Sequence, residues 1–171
     1  RYRSSAASDV YKRQAHLPAY EKSGFKVLGI YDPDIEKAQN LATKFNLDIF
    51  HSLEEAIDQE NVIFDLATPP EVHTEILKFL PEKSGVLIQK PMGSNLDEAT
   101  KILEICNTRS LKAAVNFQLR FAPMMIALKD AINSGLLGTI VDFDAWLALD
   151  TPWSLWKLSL IHISEPTRRY E

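Results

Sequence analysis

Short apolar runs separated by helix-length stretches constrain this chain more than any other feature. Lys26 to Tyr31, Val62 to Ala67, Val86 to Gln89 and Lys112 to Phe117 each have the length and composition of a strand, with Leu47 to Phe50 as a shorter candidate. Between two of them, Ile35, Ala38, Leu41, Ala42 and Phe45 recur at 3.6-residue spacing and give a helix its apolar face. Strands alternating with helices imply βαβ units and a parallel sheet with right-handed crossovers. Val86-Leu87-Ile88 reads as the end of a strand buried on both faces, as parallel strands are.

Punctuation supports the same partition. Gly24 can close a short helix that starts at His16-Leu17-Pro18. Asp32 or Asp34 can cap the next helix, Ser52 with Glu55 forms a capping-box pattern, and Ser94 or Asn95 can cap a long helix through Ile102 and Cys106. Glu71 to Phe79 is expected to be a helix that Pro81 ends, and Pro123 begins another that reaches Asn133. Gly135 and Gly138 bracket its exit, and Thr139 to Leu149 alternates enough to predict a strand of a second sheet.

At 171 residues the chain has the length of one domain, and its 46% hydrophobic and 25% charged content is ordinary for a globular protein. A net charge of -4 argues against nucleic-acid binding through a basic surface. Cys106 is the single cysteine, which excludes an intrachain disulfide and a cysteine-type zinc site and suits a reducing cytoplasm. No apolar run approaches the roughly 20 residues of a membrane helix. Histidines and carboxylates do not stand at metal-ligand spacing, so no metal is expected, and no serine lies in a G-x-S-x-G context.

Chemistry is expected at the carboxyl ends of the strands, where open α/β sheets bind ligands. Val86 to Ile88 delivers Gln89 and Lys90 to that edge, and Pro91 stops the strand because it has no N–H for the ladder. A lysine fixed there can act as acid, base or electrostatic anchor, although a solvated lysine is the plainer alternative. Asp32, closing a strand, stands where a dinucleotide site holds ribose hydroxyls, and equally where a helix is capped. Thr68-Pro69-Pro70 makes a loop in any event, and His73 three residues on is most simply a packing or surface histidine.

Together, His16-Leu17-Pro18, Gly29-Ile30-Tyr31-Asp32, Ala67-Thr68-Pro69-Pro70-Glu71-Val72-His73, Gln89-Lys90-Pro91 and Asn116-Phe117-Gln118-Leu119-Arg120-Phe121 resemble the Gfo/Idh/MocA family of NAD(P)-dependent oxidoreductases, in order and spacing, over roughly Ala15 to Trp156. The resemblance implies a Rossmann-like doubly wound parallel sheet over 15–118 and the start of an α+β substrate domain over 119–158. It implies hydride transfer between a nicotinamide and a hydroxyl-bearing carbon of a sugar or cyclitol, in a protein that forms a homo-oligomer. Lys90 inherits the catalytic position. Asp32, Thr68, Pro69, His73, Gln89 and Asn116 inherit places along the cofactor, and Arg120 one at the substrate, with a surface salt bridge as its alternative. Asp32 favours NAD over NADP, since a carboxylate repels a 2′-phosphate. A non-catalytic nucleotide-binding sensor on the same fold is the rival implication.

The chain departs from the family at three points. Gln89 stands where glutamate is usual, keeping a hydrogen-bonding head without the charge. No glycine occurs before Gly24, so the G-x-G-x-x-G cradle expected ahead of His16 is missing and the sheet is expected to lack its native first strand. Residues 1–14 and 159–171 do not continue the family pattern, and no role carries over to His162. The expectation is an internal piece of a longer reductase with non-native ends, inactive and weakly stable by itself.

Overall fold

The computed structural model describes residues 16–146, which belong to two units divided between Gln118 and Leu119. The expectations placed on 1–14 and its glycine-free stretch, on 159–171 and on His162 lie outside the described residues.

In the first unit helices and strands alternate: α1 (Leu17–Lys22), β1 (Gly29–Ile30), α2 (Ile35–Phe45), β2 (Asp48–Ile49), α3 (Leu53–Ile57), β3 (Ile63–Leu66), α4 (His73–Phe79), β4 (Gly85–Ile88), α5 (Leu96–Thr108) and β5 (Lys112–Val115). Every strand pairing is parallel, giving the mixed α/β architecture the alternation predicts. Among the described residues the strands form two sheets, β1 with β2 and β3-β4-β5 with β4 in the middle.

The core lies under the larger sheet. Leu66 of β3, Val86 and Ile88 of β4, Leu77 of α4, and Ile102 and Cys106 of α5 form one buried cluster with Leu80 and Leu111. Leu77 and Ile102 are fully buried, and removing such a side chain from water stabilises the fold by about 1.5–3 kcal/mol each. Burial also holds the Cys106 thiol above its ordinary pKa. β5 is covered less than expected, since Lys112, Ala113 and Ala114 are exposed.

Local chemistry sets the boundaries. Asp34, not Asp32, caps α2, its carboxylate accepting the Lys37 N–H at 3.4 Å. Ser52 caps α3 by accepting the Glu55 N–H at 3.1 Å, while the Glu55 carboxylate reaches back to the His51 N–H at 2.6 Å. Asn95 caps α5 through the Glu98 N–H at 2.9 Å, and Glu98 in turn accepts the Ser94 N–H at 2.7 Å. On α2, Ala38, Leu41 and Ala42 are buried as predicted, but Ile35 at the first position is exposed. β1 is also shorter than Lys26 to Tyr31, because β2 offers only Asp48 and Ile49 as ladder partners.

The second unit opens within a 3₁₀ turn, Gln118–Phe121, and continues into α6 (Pro123–Asn133) with proline in its first turn. Gly135 and Gly138 both adopt positive φ, 73° and 64°, where a side chain would be strained. The strand predicted from Thr139 is absent over the described residues to Trp146. A strand needs a ladder, and no described strand lies in this unit to pair with it.

Candidate active site

Ladder bonds continue one residue past β4 and β5. The Gln89 N–H donates to the Leu66 carbonyl at 3.1 Å, and the Asn116 N–H donates to the Ile88 carbonyl at 2.8 Å. Gln89 and Asn116 therefore leave the sheet along one carboxyl edge, with Thr68 at the end of the neighbouring β3. Lys90 follows Gln89, exposed to solvent, and the Lys90–Pro91 peptide is cis.

Gln89 is only 5% exposed. Its Oε1 accepts the N–H of Lys90 at 3.1 Å, whereas its Nε2 has no partner among the described residues, and neither has the buried Thr68 Oγ1. A buried polar atom left unpaired costs about 1–3 kcal/mol, so a ligand group that satisfies it recovers that energy. Orphaned polar atoms on adjacent strand ends fit a polar ligand laid across the edge.

Two loops leave this edge, 67–72 after β3 and 89–95 after β4. His73, the first residue of α4, is fully buried beneath them. Its Nδ1 lies 3.0 Å from the carbonyl oxygen of Met92 and its Nε2 lies 3.1 Å from that of Thr68. Pro69 starts a 3₁₀ turn, Pro70–Val72, that carries the first loop into α4. Gly93 lets the second loop lie against α5: a Cβ there would come within 2.9 Å of the Ala99 nitrogen and of the Glu98 Cβ.

A partly buried polar chain that sequence reasoning missed ties α1 to the sheet. Asp65, inside β3, accepts at one carboxylate oxygen from His16 Nδ1 at 2.6 Å and from the Tyr20 hydroxyl at 2.9 Å. Asn116 Nδ2 lies 3.2 Å from His16 Nε2. With the amide donating to Nε2, the imidazole carries its proton on Nδ1, facing Asp65. Burial first, and then the Asp65 carboxylate, push the Tyr20 phenol well above its ordinary pKa of 10.0. The signal was present in the sequence: an aspartate inside an apolar strand must find a partner, and His16 and Tyr20 stand one helical turn apart.

Of the residues singled out from the sequence, Thr68, Pro69, His73, Gln89, Lys90 and Asn116 all belong to the carboxyl edge of the larger sheet or the loops leaving it. Asp32 belongs to the smaller sheet, two residues beyond β1. It is buried, and its Oδ1 accepts the Asp34 N–H at 3.0 Å, closing a turn ahead of the cap. Arg120 lies in the second unit on the turn that ends at Phe121, exposed. Among the described residues no three His, Cys, Asp or Glu side chains are placed to hold a metal, and no helix is long and apolar enough to cross a membrane.

The family model described as an oxidoreductase family with an NAD-binding Rossmann fold matches residues 10–117, well over half of the chain. Inositol 2-dehydrogenase of Rubrobacter xylanophilus is 28% identical over 126 residues, which cover 72% of this chain and 36% of that protein. The WlbA dehydrogenase of Bordetella pertussis, solved in complex with NADH and UDP-GlcNAcA, superposes with a TM-score of 0.62 at 22% identity, covering 75% of this chain and 40% of that one. The super-repressor mutant of Gal80p from Saccharomyces cerevisiae superposes equally well, with a TM-score of 0.63 at 23% identity over 73% of this chain and 36% of its own. The chain spans about a third of the length of the curated relatives it matches.

Proposed function

We propose, because the chain belongs to the Gfo/Idh/MocA oxidoreductase family with its NAD-binding Rossmann fold, that it is the dinucleotide-binding part of a dehydrogenase acting on a sugar or cyclitol. The observation that carries this reading is the edge of the larger sheet, where Lys90 follows the buried Gln89 with its unpaired Nε2, beside the unpaired Thr68 Oγ1. These residues suit the nicotinamide end of a dinucleotide, whose bound ring supplies the hydride acceptor or donor.

In this reading Lys90, exposed on a fixed strand end, polarises the substrate hydroxyl as an ammonium group or takes its proton as a neutral amine. Thr68, Pro69 and Gln89 line the nicotinamide side, Gln89 donating through Nε2 to an acceptor on the ligand. His73 stands behind them. Asn116 orients the ligand from the end of β5, and Arg120 holds a polyhydroxylated or anionic substrate. Asp32 takes the adenosine ribose and disfavours a 2′-phosphate, so NAD is the preferred cofactor. The whole protein works in the cytoplasm as a homo-oligomer, with a small polyol or sugar as substrate and no nucleic-acid partner.

No glycine precedes Gly24, so the backbone cradle for the pyrophosphate is not among the residues that fit. The chain by itself is therefore inactive. Calorimetric titration with NADH and NADPH tests the cofactor reading on this chain and on a version carrying a strand and G-x-G-x-x-G segment ahead of residue 15. Binding only in the extended version, with NADH preferred, is the expected result; binding by neither version would sink the cofactor assignment.

Gln89 in place of the usual glutamate favours one rival, a nucleotide sensor without catalysis. Lys90→Ala in the intact parent protein separates the two. A dehydrogenase loses turnover by at least about a hundredfold, the typical contribution of a positioned acid or base. A sensor keeps its ligand response unchanged.

A further inference from the structure

We propose that His73 is a positioning residue that braces the two loops of the candidate site against each other. Its ring is fully buried, so it offers a ligand no surface. Its two nitrogens face backbone carbonyls on different loops, Met92 after β4 at 3.0 Å and Thr68 after β3 at 3.1 Å. Nineteen residues separate His73 from Met92 and five separate it from Thr68. One planar side chain therefore fixes the spacing of two segments that share no strand pairing of their own. Carbonyls at such loop turns have no ladder partner, and burying them needs a donor that reaches both. A histidine at the first position of α4 sets a ring nitrogen against each carbonyl from opposite ends of one rigid ring. A ring carrying two protons donates to both carbonyls, and a neutral ring to one. Leucine or phenylalanine would fill the same volume but leave both carbonyls unpaired.

The brace determines where Thr68 and Gln89 present their unpaired polar atoms, and how Lys90 leaves the strand. That functional weight rests on the reading of this edge as the nicotinamide side; the brace itself does not.

Hydrogen exchange followed by mass spectrometry on the full chain tests it, without ligand, for the wild type, His73→Phe and His73→Gln. His73→Phe keeps a planar ring without donors, and His73→Gln keeps a donor that reaches one carbonyl. For His73→Phe, peptides covering 68–74 and 90–95 are expected to exchange roughly five- to tenfold faster, the equilibrium weight of one buried hydrogen bond. Peptides covering β4 and β5 should exchange at the wild-type rate. In His73→Gln one of the two loops should return to the wild-type rate. Unchanged loops in both variants would overturn the proposal, and so would acceleration spread evenly over the sheet, which marks a core-filling role alone. Should His73→Phe fail to fold, His73→Gln decides by itself: acceleration confined to one loop supports the brace, and none or a uniform change refutes it. NADH titration of the same samples is read separately. Loop-specific exchange without NADH binding leaves the brace standing and removes the cofactor reading.

Discussion

Asp65 shows what one residue inside a strand can organise. Its carboxylate holds His16 and Tyr20 of the α1 region against β3, and through His16 reaches Asn116 at the end of β5. Asp65→Asn removes the charge that both partners donate to, and should cost about 1.5–3 kcal/mol, read as a lower midpoint in urea unfolding. The same variant should lower the Tyr20 phenol pKa, followed by ultraviolet titration, because one of the groups raising it is gone. The sign of the pH dependence follows. A phenol whose folded pKa lies above 10.0 keeps its proton in the folded state when the unfolded chain has lost it, so stability falls as pH rises beyond about 10. Asp65→Asn should flatten that alkaline loss. The sequence made Lys90, Gln89 and Thr68 legible because strand ends, prolines and order along the chain mark them. It did not reveal Asp65, His16 and Tyr20 as partners, because 49 and 45 residues separate the pairs and only the packing of α1 on β3 joins them.

At the scale of elements, caps and apolar spacing carried most of the information. The helix starts at Asp34, Ser52 and Asn95 follow from side chains that accept N–H groups three residues on. The choice between Asp32 and Asp34 was open because both can accept such a bond; the backbone turn at 32–34 decided it. Ile35 is exposed although its spacing fits, at the first position of α2. Apart from β4, which keeps its expected length one residue earlier, the strands proved shorter than their apolar runs because pairing depends on partners, which composition does not specify. Two substitutions probe this scale. Leu77→Ala, in the fully buried contact between α4 and the sheet, should cost about 2–5 kcal/mol, measured by denaturant unfolding. Asn95→Ala removes the α5 cap and should cost about 1 kcal/mol, with hydrogen exchange rising first at Leu96 to Ala99. Glu98, whose carboxyl the Ser94 hydrogen bonds hold below its ordinary pKa, adds stability above that ordinary value; the contribution fades as pH falls through the lowered one.

The whole molecule is governed by the division of its sheets. Among the described residues β1 pairs only with β2 and β3 only with β4, and in the doubly wound order the first strand runs between these two pairs. A chain with open edges there should unfold over a broad range and associate in solution, measured by scanning calorimetry with light scattering; a sharp, reversible monomeric transition would contradict it. The extended version with an added first strand should unfold at a higher temperature and stay monomeric. The covalent link is dispensable in this picture. A short synthetic β-strand peptide added to the solution can dock by strand addition along the β1 and β3 edges that carry no ladder partner among the described residues. The domain then becomes a receptor whose ligand is a length of polypeptide backbone, and its clarity in the cuvette becomes a titratable signal.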